Sequence, residues 1–305
     1  MSFNLTVLGS GSALPLFNRF QSAQIIEKND KLYLIDCGEG TQIQLINLKF
    51  SFYKLNDIFI THLHGDHFFG LMGLLSSMHL LKKQNTVNIY AHKDLLDIIN
   101  LTLKPNETDL SFKINFIALS YNEVNLIFKD KYFEVYSIPL NHSLATCGFI
   151  FREKIPLLNV NKDFLLEHNP SYDQINGIKN GMDYKDGNGI VYPNASISHI
   201  SKLPSSFAYI SDTIYKPDIV DHLQNISLLY HEATFSNEFQ QAAIDKLHST
   251  SAEAALIAKN ANVKKLMIGH FSSRFKDYSI LLDEAKTIFK EVIAAVPLEK
   301  HVIDY

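Results

Sequence analysis

The chain has 305 residues, of which 46% are hydrophobic and 20% charged, and it carries a formal net charge of −4. That is ample for the core of one large globular domain or two small ones. It excludes a generally basic nucleic-acid binder, so contact with phosphate needs a local positive face or bound cations. No apolar run approaches the ~20 residues of a membrane span. The start MSFNLTVLG has no signal-peptide character, and the two cysteines, Cys37 and Cys147, form no CxxC. Both features point to a reducing, cytoplasmic setting without a membrane.

Residues Phe3–Gly9 alternate as a strand and run into the GSGSALP turn; Gln24–Glu27 and Lys31–Asp36 then read as a hairpin. In the following DCGEGTQ, Gly38 and Gly40 can take positive φ, and 40–50 has helical periodicity. An apolar run, Ile58–Ile60, precedes a helix over Phe68–Lys82 with Phe69, Met72, Leu75, Met78 and Leu81 on one face. Strand, helix and strand signals follow at Val87–Ala91, Leu95–Leu103 and Ile114–Ala118, then strands at Val124–Phe128, Tyr132–Pro139 and Cys147–Arg152. Between Glu153 and Asn194 periodicity is poor and Asn, Asp, Gly, Lys and Pro are frequent, so this reads as an inserted arm or long loop. Strands then fall at Phe207–Ser211, Leu228–Tyr230 and Lys265–Ile268, and helices at Thr250–Asn260, capped by Thr250 and Glu253, and at Ile280–Val292. A short strand at His301–Tyr305 closes the chain. Strands alternating with helices in two successive halves predict a layered α/β sandwich.

Residues 59–70 read FITHLHGDHFFG. His62 and His64 are two apart, so on an extended segment both side chains leave one face and can close on one ion. Asp66 and His67 lie beyond Gly65, where the chain can turn and aim a second pair at a neighbouring ion. Imidazole and carboxylate together suit zinc, and also manganese or iron. Further ligand candidates end later strands: His142 in PLNHS, Asp212 in FAYISD and His270 in KLMIGH.

HxHxDH after a buried strand, followed by these residues in this order, resembles the metallo-β-lactamase superfamily. The resemblance implies a four-layer αββα sandwich spanning 1–305 as a single domain, with an insertion at about 153–194. It also implies two divalent metal ions, zinc foremost. His62, His64 and His142 would hold one, Asp66, His67 and His270 the other, and Asp212 would bridge them. Metals so held generate hydroxide from a bridging water at neutral pH, and Asp66 could accept the proton as that water attacks.

HEATF at 231–235, HST at 248–250 and GHFSSRF at 269–275 are similar to the motifs of ribonuclease Z, the endonuclease that removes the 3′ trailer from transfer RNA precursors. LGSGSALP, Arg19, Ser22 and DCGEGTQ agree with that family's opening. The resemblance implies precursor tRNA as substrate and a homodimer. The departing ribose oxygen needs a proton, which a histidine supplies at neutral pH. His248 is the candidate general acid, with Glu232 on its far nitrogen. Ser272, Ser273 and Arg274 are expected to contact substrate phosphate, and His231 to support the site structurally.

The arm departs from the family pattern. Asn169-Pro170 stands where Gly-Pro is expected, and 152–186 carry five basic residues against six acidic ones. Phosphate contacts dominate nucleic-acid affinity, so a phosphodiesterase or lactonase acting on small molecules is the alternative, and a metal-carrying RNA-binding protein with a dead site a third. A di-iron electron carrier is disfavoured because His64 stands where such relatives have glutamate.

Overall fold

The computed structural model describes residues 3–14, 19–103, 110–200 and 202–304. Pro15, which ends the predicted GSGSALP turn, and Tyr305, which ends the predicted last strand, lie outside them. The chain divides into two compact units, one of residues 1–152 with 205–304, the other of residues 153–204.

In the larger unit, strands β1 (Phe3–Gly9), β2 (Ala23–Lys28), β3 (Lys31–Ile35), β4 (Leu55–Phe59), β5 (Val87–Ala91) and β6 (Ile114–Ala118) belong to one sheet. Strands β7 (Asn125–Lys129), β8 (Phe133–Asn141), β9 (Ala145–Glu153), β10 (Ser206–Ile210), β11 (Leu228–Glu232), β12 (Lys265–Gly269) and β13 (Val292–Ala294) form the other, and β14 (Lys300–Val302) returns to the first. Each sheet has seven strands, in the orders β14-β1-β2-β3-β4-β5-β6 and β13-β12-β11-β10-β9-β8-β7. Pairing is antiparallel between β1 and β2 and between β2 and β3, then parallel from β3 to β6; the second sheet is parallel from β10 to β13.

Three apolar layers make this a four-layer αββα sandwich. One packs the first sheet against helices α1 (Thr41–Asn47), α3 (Leu71–Leu80) and α4 (Asp94–Leu103); a single turn, α2 (Gly65–Phe68), precedes α3. Another packs the second sheet against α6 (Ser251–Asn260) and α7 (Ser279–Ile288), which follow α5 (Gln240–Asp245). The layer between the sheets is aromatic. Phe59 stacks on Tyr90 at 4.5 Å and meets Phe149 and Phe151 edge-on at 5.5 and 5.4 Å, while Tyr209 stacks on Tyr230 at 4.5 Å. Rings that lock edge to face fix the two sheets against each other, and with them the loops at the strand ends.

Four local expectations change. The helix expected over Phe68–Lys82, with Phe69, Met72, Leu75, Met78 and Leu81 on a core face, runs from Leu71 to Leu80, and Phe69 and Leu81, just outside its ends, are exposed. The last helix stops at Ile288 rather than Val292: Phe289 leaves it at φ −135°, and Val292 pairs with Leu266 as an edge strand, the conformation its β-branched neighbours favour. Gly40 takes φ +85°, whereas Gly38 is needed for close approach, since a Cβ there would meet the Asp66 carbonyl oxygen at 2.4 Å. Gly65 begins a helical turn instead of a sharp left-handed one.

The smaller unit carries its own elements: helices Lys162–His168 and Tyr172–Lys179, the second opened by a Ser171–Gln174 capping box, and the short ladders 159–160 with 198–199 and 184–185 with 191–192. Phe164, Ile178, Tyr184 and Ile197 are its buried core. Loop-like composition concealed this order because the core rests on four well-separated side chains rather than on a periodic stripe.

Phe164→Ala should therefore loosen the arm alone, at a cost of about 3–5 kcal/mol to its local stability. Hydrogen exchange is expected to accelerate across 162–199 while the strands of both large sheets keep their protection.

Candidate active site

The parallel strands deliver the chemistry at their C-terminal ends. β4 leads through Thr61 into His62, His64, Asp66 and His67; β10 leads to Asp212, β11 ends on Glu232, and β12 leads to His270. His142 follows β8, and His248 precedes the capped start of α6. His270 and Asp36 both take the left-handed backbone, at φ +58° and +55°. Non-glycine residues adopt it at a cost, and here it turns each side chain toward the cluster as its strand ends.

The structure brings all seven expected ligands together. His62, His64, His142 and Asp212 form one group whose ligand atoms lie within 4.8 Å of one another, and Asp66, His67 and His270 form a second. Asp212 divides its oxygens between them: Oδ1 lies 3.5 Å from His67 Nε2 and 3.4 Å from His270 Nε2, Oδ2 3.7 Å from His62 Nε2 and 3.8 Å from His142 Nε2. His64 offers Nδ1, 3.1 Å from His62 Nε2 and 3.3 Å from His142 Nε2.

Hydrogen bonding fixes which nitrogen each histidine presents. His67 Nδ1 lies 2.8 Å from Asp36 Oδ2 and donates to it, which leaves Nε2 buried without a hydrogen-bond partner. Thr61 gives its hydroxyl to Asp36 at 3.0 Å, so its oxygen accepts from His62 Nδ1, also at 3.0 Å. His142 Nδ1 donates to the Leu247 carbonyl at 2.8 Å. Thr234 repeats the arrangement: its hydroxyl donates to Glu232 Oε2 at 2.7 Å and accepts from His270 Nδ1 at 2.9 Å. Asp36 and Glu232 thus each set one histidine directly and another through a threonine.

These residues fit a divalent cation site. Four imidazoles turn a lone pair inward, fixed from behind as metal-bound histidines are. Burial opposes a charged His67, yet Asp212, Asp36 and Asp66 together hold its pKa well above the ordinary value. Buried carboxylates converging on one point require positive charge there.

His248 adjoins the ligand set, its ligand atom within 4.8 Å of those of Asp212 and His270. Its Nδ1 lies 2.9 Å from Glu232 Oε1, and burial, which lowers its pKa, is outweighed by that carboxylate, which raises it to about 9. Glu232 is fully buried rather than an exposed strand-end carboxylate; backbone N–H groups of Thr213, Ser249 and Thr234 donate to it at 3.1, 2.9 and 2.9 Å. His231, on the same strand end, donates Nδ1 to the Glu232 carbonyl at 2.7 Å and does not line the cavity.

A cavity of about 880 Å³ opens over the cluster, lined by His64, Asp66, His142, Asp212, His248 and His270 and also by Ser272, Ser273 and Arg274. The Arg274 guanidinium lies over the rings of Phe235 and Phe239, 5.4 and 5.5 Å from their centroids. Arg19 donates to the carbonyls of Phe275 and Lys276 at 2.6 and 2.5 Å, tying the opening segment to the stretch that bears Arg274. Sequence reading passed over Asp36, Thr61 and Thr234. The only signal was their place inside DCGEG, THLHGDH and HEAT.

A family model described as anti-Pycsar protein Apyc1 matches residues 3–157. Ribonuclease Z of Phocaeicola vulgatus is 41% identical over 293 residues, covering 96% of this chain and 95% of the relative. Ribonuclease Z of Bacteroides thetaiotaomicron is 42% identical over 293 residues, covering 96% and 93%. The crystal structure of human tRNase Z, short form, superimposes with a TM-score of 0.69 at 26% identity, covering 99% of this chain and all of its own. The metallo-β-lactamase fold protein YhfI from Bacillus subtilis shares the fold with a TM-score of 0.69 at 20% identity, covering 98% of each chain.

Asp36→Asn removes the charge that orients His67 and, through Thr61, His62. Metal retention measured by competition with a chelator is expected to weaken about 10- to 100-fold, as loss of such a supporting partner typically does.

Proposed function

The chain belongs to the ribonuclease Z family, and from that premise we propose that it cleaves precursor tRNA at the 3′ trailer, leaving a 3′-hydroxyl on the tRNA and a 5′-phosphate on the trailer. The observation that carries this reading is that the ligand cluster shares its cavity with His248, whose Nδ1 faces the buried Glu232 behind it. A hydrolase of activated small esters does without a dedicated proton donor, whereas expulsion of a ribose oxygen does not.

His62, His64 and His142 would hold one divalent ion, Asp66, His67 and His270 the other, with Asp212 shared between them, and zinc suits this donor set foremost, manganese and iron also. Such ions supply Lewis acidity that makes water nucleophilic near neutral pH and offset charge on the phosphodiester. The chain's own groups do the rest. With Nδ1 held by Glu232, His248 keeps a proton on Nε2 and gives it to the departing 3′ oxygen. Asp66 is fixed by the Ala13 N–H, which donates to Oδ2 at 2.7 Å, and is placed to take a proton from the attacking water. Ser272, Ser273 and Arg274 bind a phosphate oxygen, the guanidinium steadied by its aromatic supports.

A homodimer in the cytoplasm completes the proposal. Ile43 and Ile46 on α1 and Leu80 and Leu81 at the end of α3 are 53–74% exposed on adjoining helices, an apolar face that a second copy would cover. Both cysteines are buried free thiols, in keeping with a reducing compartment. The arm's five basic against six acidic residues favour the second reading, a small-ester hydrolase on the same centre.

Incubated with a trailer-bearing tRNA precursor, the protein is expected to cut once after the discriminator base, and a chelator to abolish the cut. No cut by protein shown to hold metal would favour the small-ester reading. His248→Ala should lower kcat on saturating precursor by about 10²- to 10⁴-fold. An unchanged rate would remove His248 from the mechanism. Glu232→Gln should lower kcat and move the alkaline fall of activity to lower pH, because the carboxylate that raises the His248 pKa is gone.

A further inference from the structure

Phe68 and Phe69 follow the last ligand of the HxHxDH stretch and part company. Phe68 is 6% exposed and joins the core beneath the first sheet, whereas Phe69 is 63% exposed and lines the catalytic cavity. Among the described residues, Leu14 and Phe69 are the strongly exposed large apolar side chains on that wall. Phe69 is also held in place. A Cβ on Gly65 would meet its ring atoms at 2.2–2.7 Å, so the ring rests on the bare backbone of Gly65, between the ligands His64 and Asp66. Phe68 meets it edge-on at 5.0 Å. An exposed, immobilised ring beside the reaction centre is unexplained by core packing.

We propose that Phe69 is the stacking platform for an unpaired nucleobase flanking the scissile phosphate, and so a specificity-determining residue of the endonuclease. The inference rests on the endonuclease reading of the cavity. A phosphodiester at the ligand cluster carries a base on each side, and at a single-stranded cleavage point those bases have exposed π faces. A fixed aromatic ring covers such a face whatever the base, which suits an enzyme that meets many different RNAs. The platform also contributes affinity without positive charge, which this chain lacks overall.

The test is a residue-by-base cycle. Wild type, Phe69→Ala and Phe69→Tyr are compared on an intact precursor and on precursors made abasic immediately 5′ or 3′ of the cut. On the intact precursor Phe69→Ala is expected to lose about 5- to 150-fold in kcat/KM, the range of base–aromatic stacking, and Phe69→Tyr to retain activity. On one of the abasic precursors wild type should fall to the level of Phe69→Ala, which identifies the stacked base. If Phe69→Ala matches wild type on the intact precursor, or loses the same factor on all three substrates, the proposal is overturned. Metal content and Tm are measured alongside. Should Phe69→Ala lose metal, Phe69→Leu, which keeps apolar cover over Gly65 without a π face, carries the same comparison. Wild-type protein that leaves the intact precursor uncut would overturn the endonuclease reading and this inference together, whereas cutting indifferent to residue 69 overturns the inference alone.

Discussion

The structure turns on carboxylates placed where water cannot reach them. Asp36, Asp66, Asp212 and Glu232 are all 9% exposed or less, gathered at one end of two sheets. A buried carboxylate is tolerated only with full hydrogen bonding or positive charge beside it. Asp36 and Glu232 meet the requirement with donors: backbone N–H groups, threonine hydroxyls and imidazoles. Asp212 touches only histidine edges and Ser211 among the described contacts, so its demand for charge falls on whatever the histidines hold. The same cost that would destabilise an ordinary core here defines a cation site.

Meeting that demand requires precision from distant parts of the chain. His62 and His270 are 208 positions apart in sequence, and their orienting threonines follow strands of different sheets. Only rigid registration of the two sheets brings them together, and the aromatic layer between the sheets supplies it. Parallel strands all point their carboxyl ends the same way, so β4, β10, β11 and β12 deliver ligands and support to one edge without long detours. Loops rather than strand interiors carry the ligands, which lets backbone at positive φ turn His270 and Asp36 inward.

This division explains what could be read from the sequence. The candidate ligands sit in short motifs at the ends of apolar runs, so the convergence of His62, His64, Asp66, His67, His142, Asp212 and His270 was legible from spacing and order. Asp36, Thr61 and Thr234 were not, because a supporting residue is defined by its neighbour in space: Asp36 and His67 touch across 31 positions. Glu232 and His248 were legible only through family resemblance, since burial distinguishes this carboxylate from a solvated one. The glycines misled for a related reason. Gly38 is required by atoms of Asp66 and Gln21 that approach it from elsewhere in the chain, and Gly65 by the ring of Phe69 four residues on, neither of which a rule of turn geometry reveals. Val292 was lost to a helix because its strand exists only beside Leu266.

Charge then constrains how such a protein recognises RNA. With a net charge of −4 and an arm that is not basic, the chain lacks the broad positive face that usually draws nucleic acid. In the proposed mechanism the positive charge that meets RNA would come from ions at the ligand cluster and from Arg274, which line one cavity. Binding energy drawn from there would act on the scissile phosphate and its immediate neighbours, where it lowers the barrier rather than merely tightening the ground state. Stacking on the proposed Phe69 platform would add affinity that salt does not screen. The histidine–glutamate pair stands beside this centre, and under the proposed mechanism the histidine that gives its proton to the leaving oxygen would be one that the proposed ion assignment leaves out. Glu232 thereby ties the two tasks together: one oxygen faces His248 and the other, through Thr234, orients His270, so under the proposed mechanism a single buried carboxylate would set both the acid and one ion ligand.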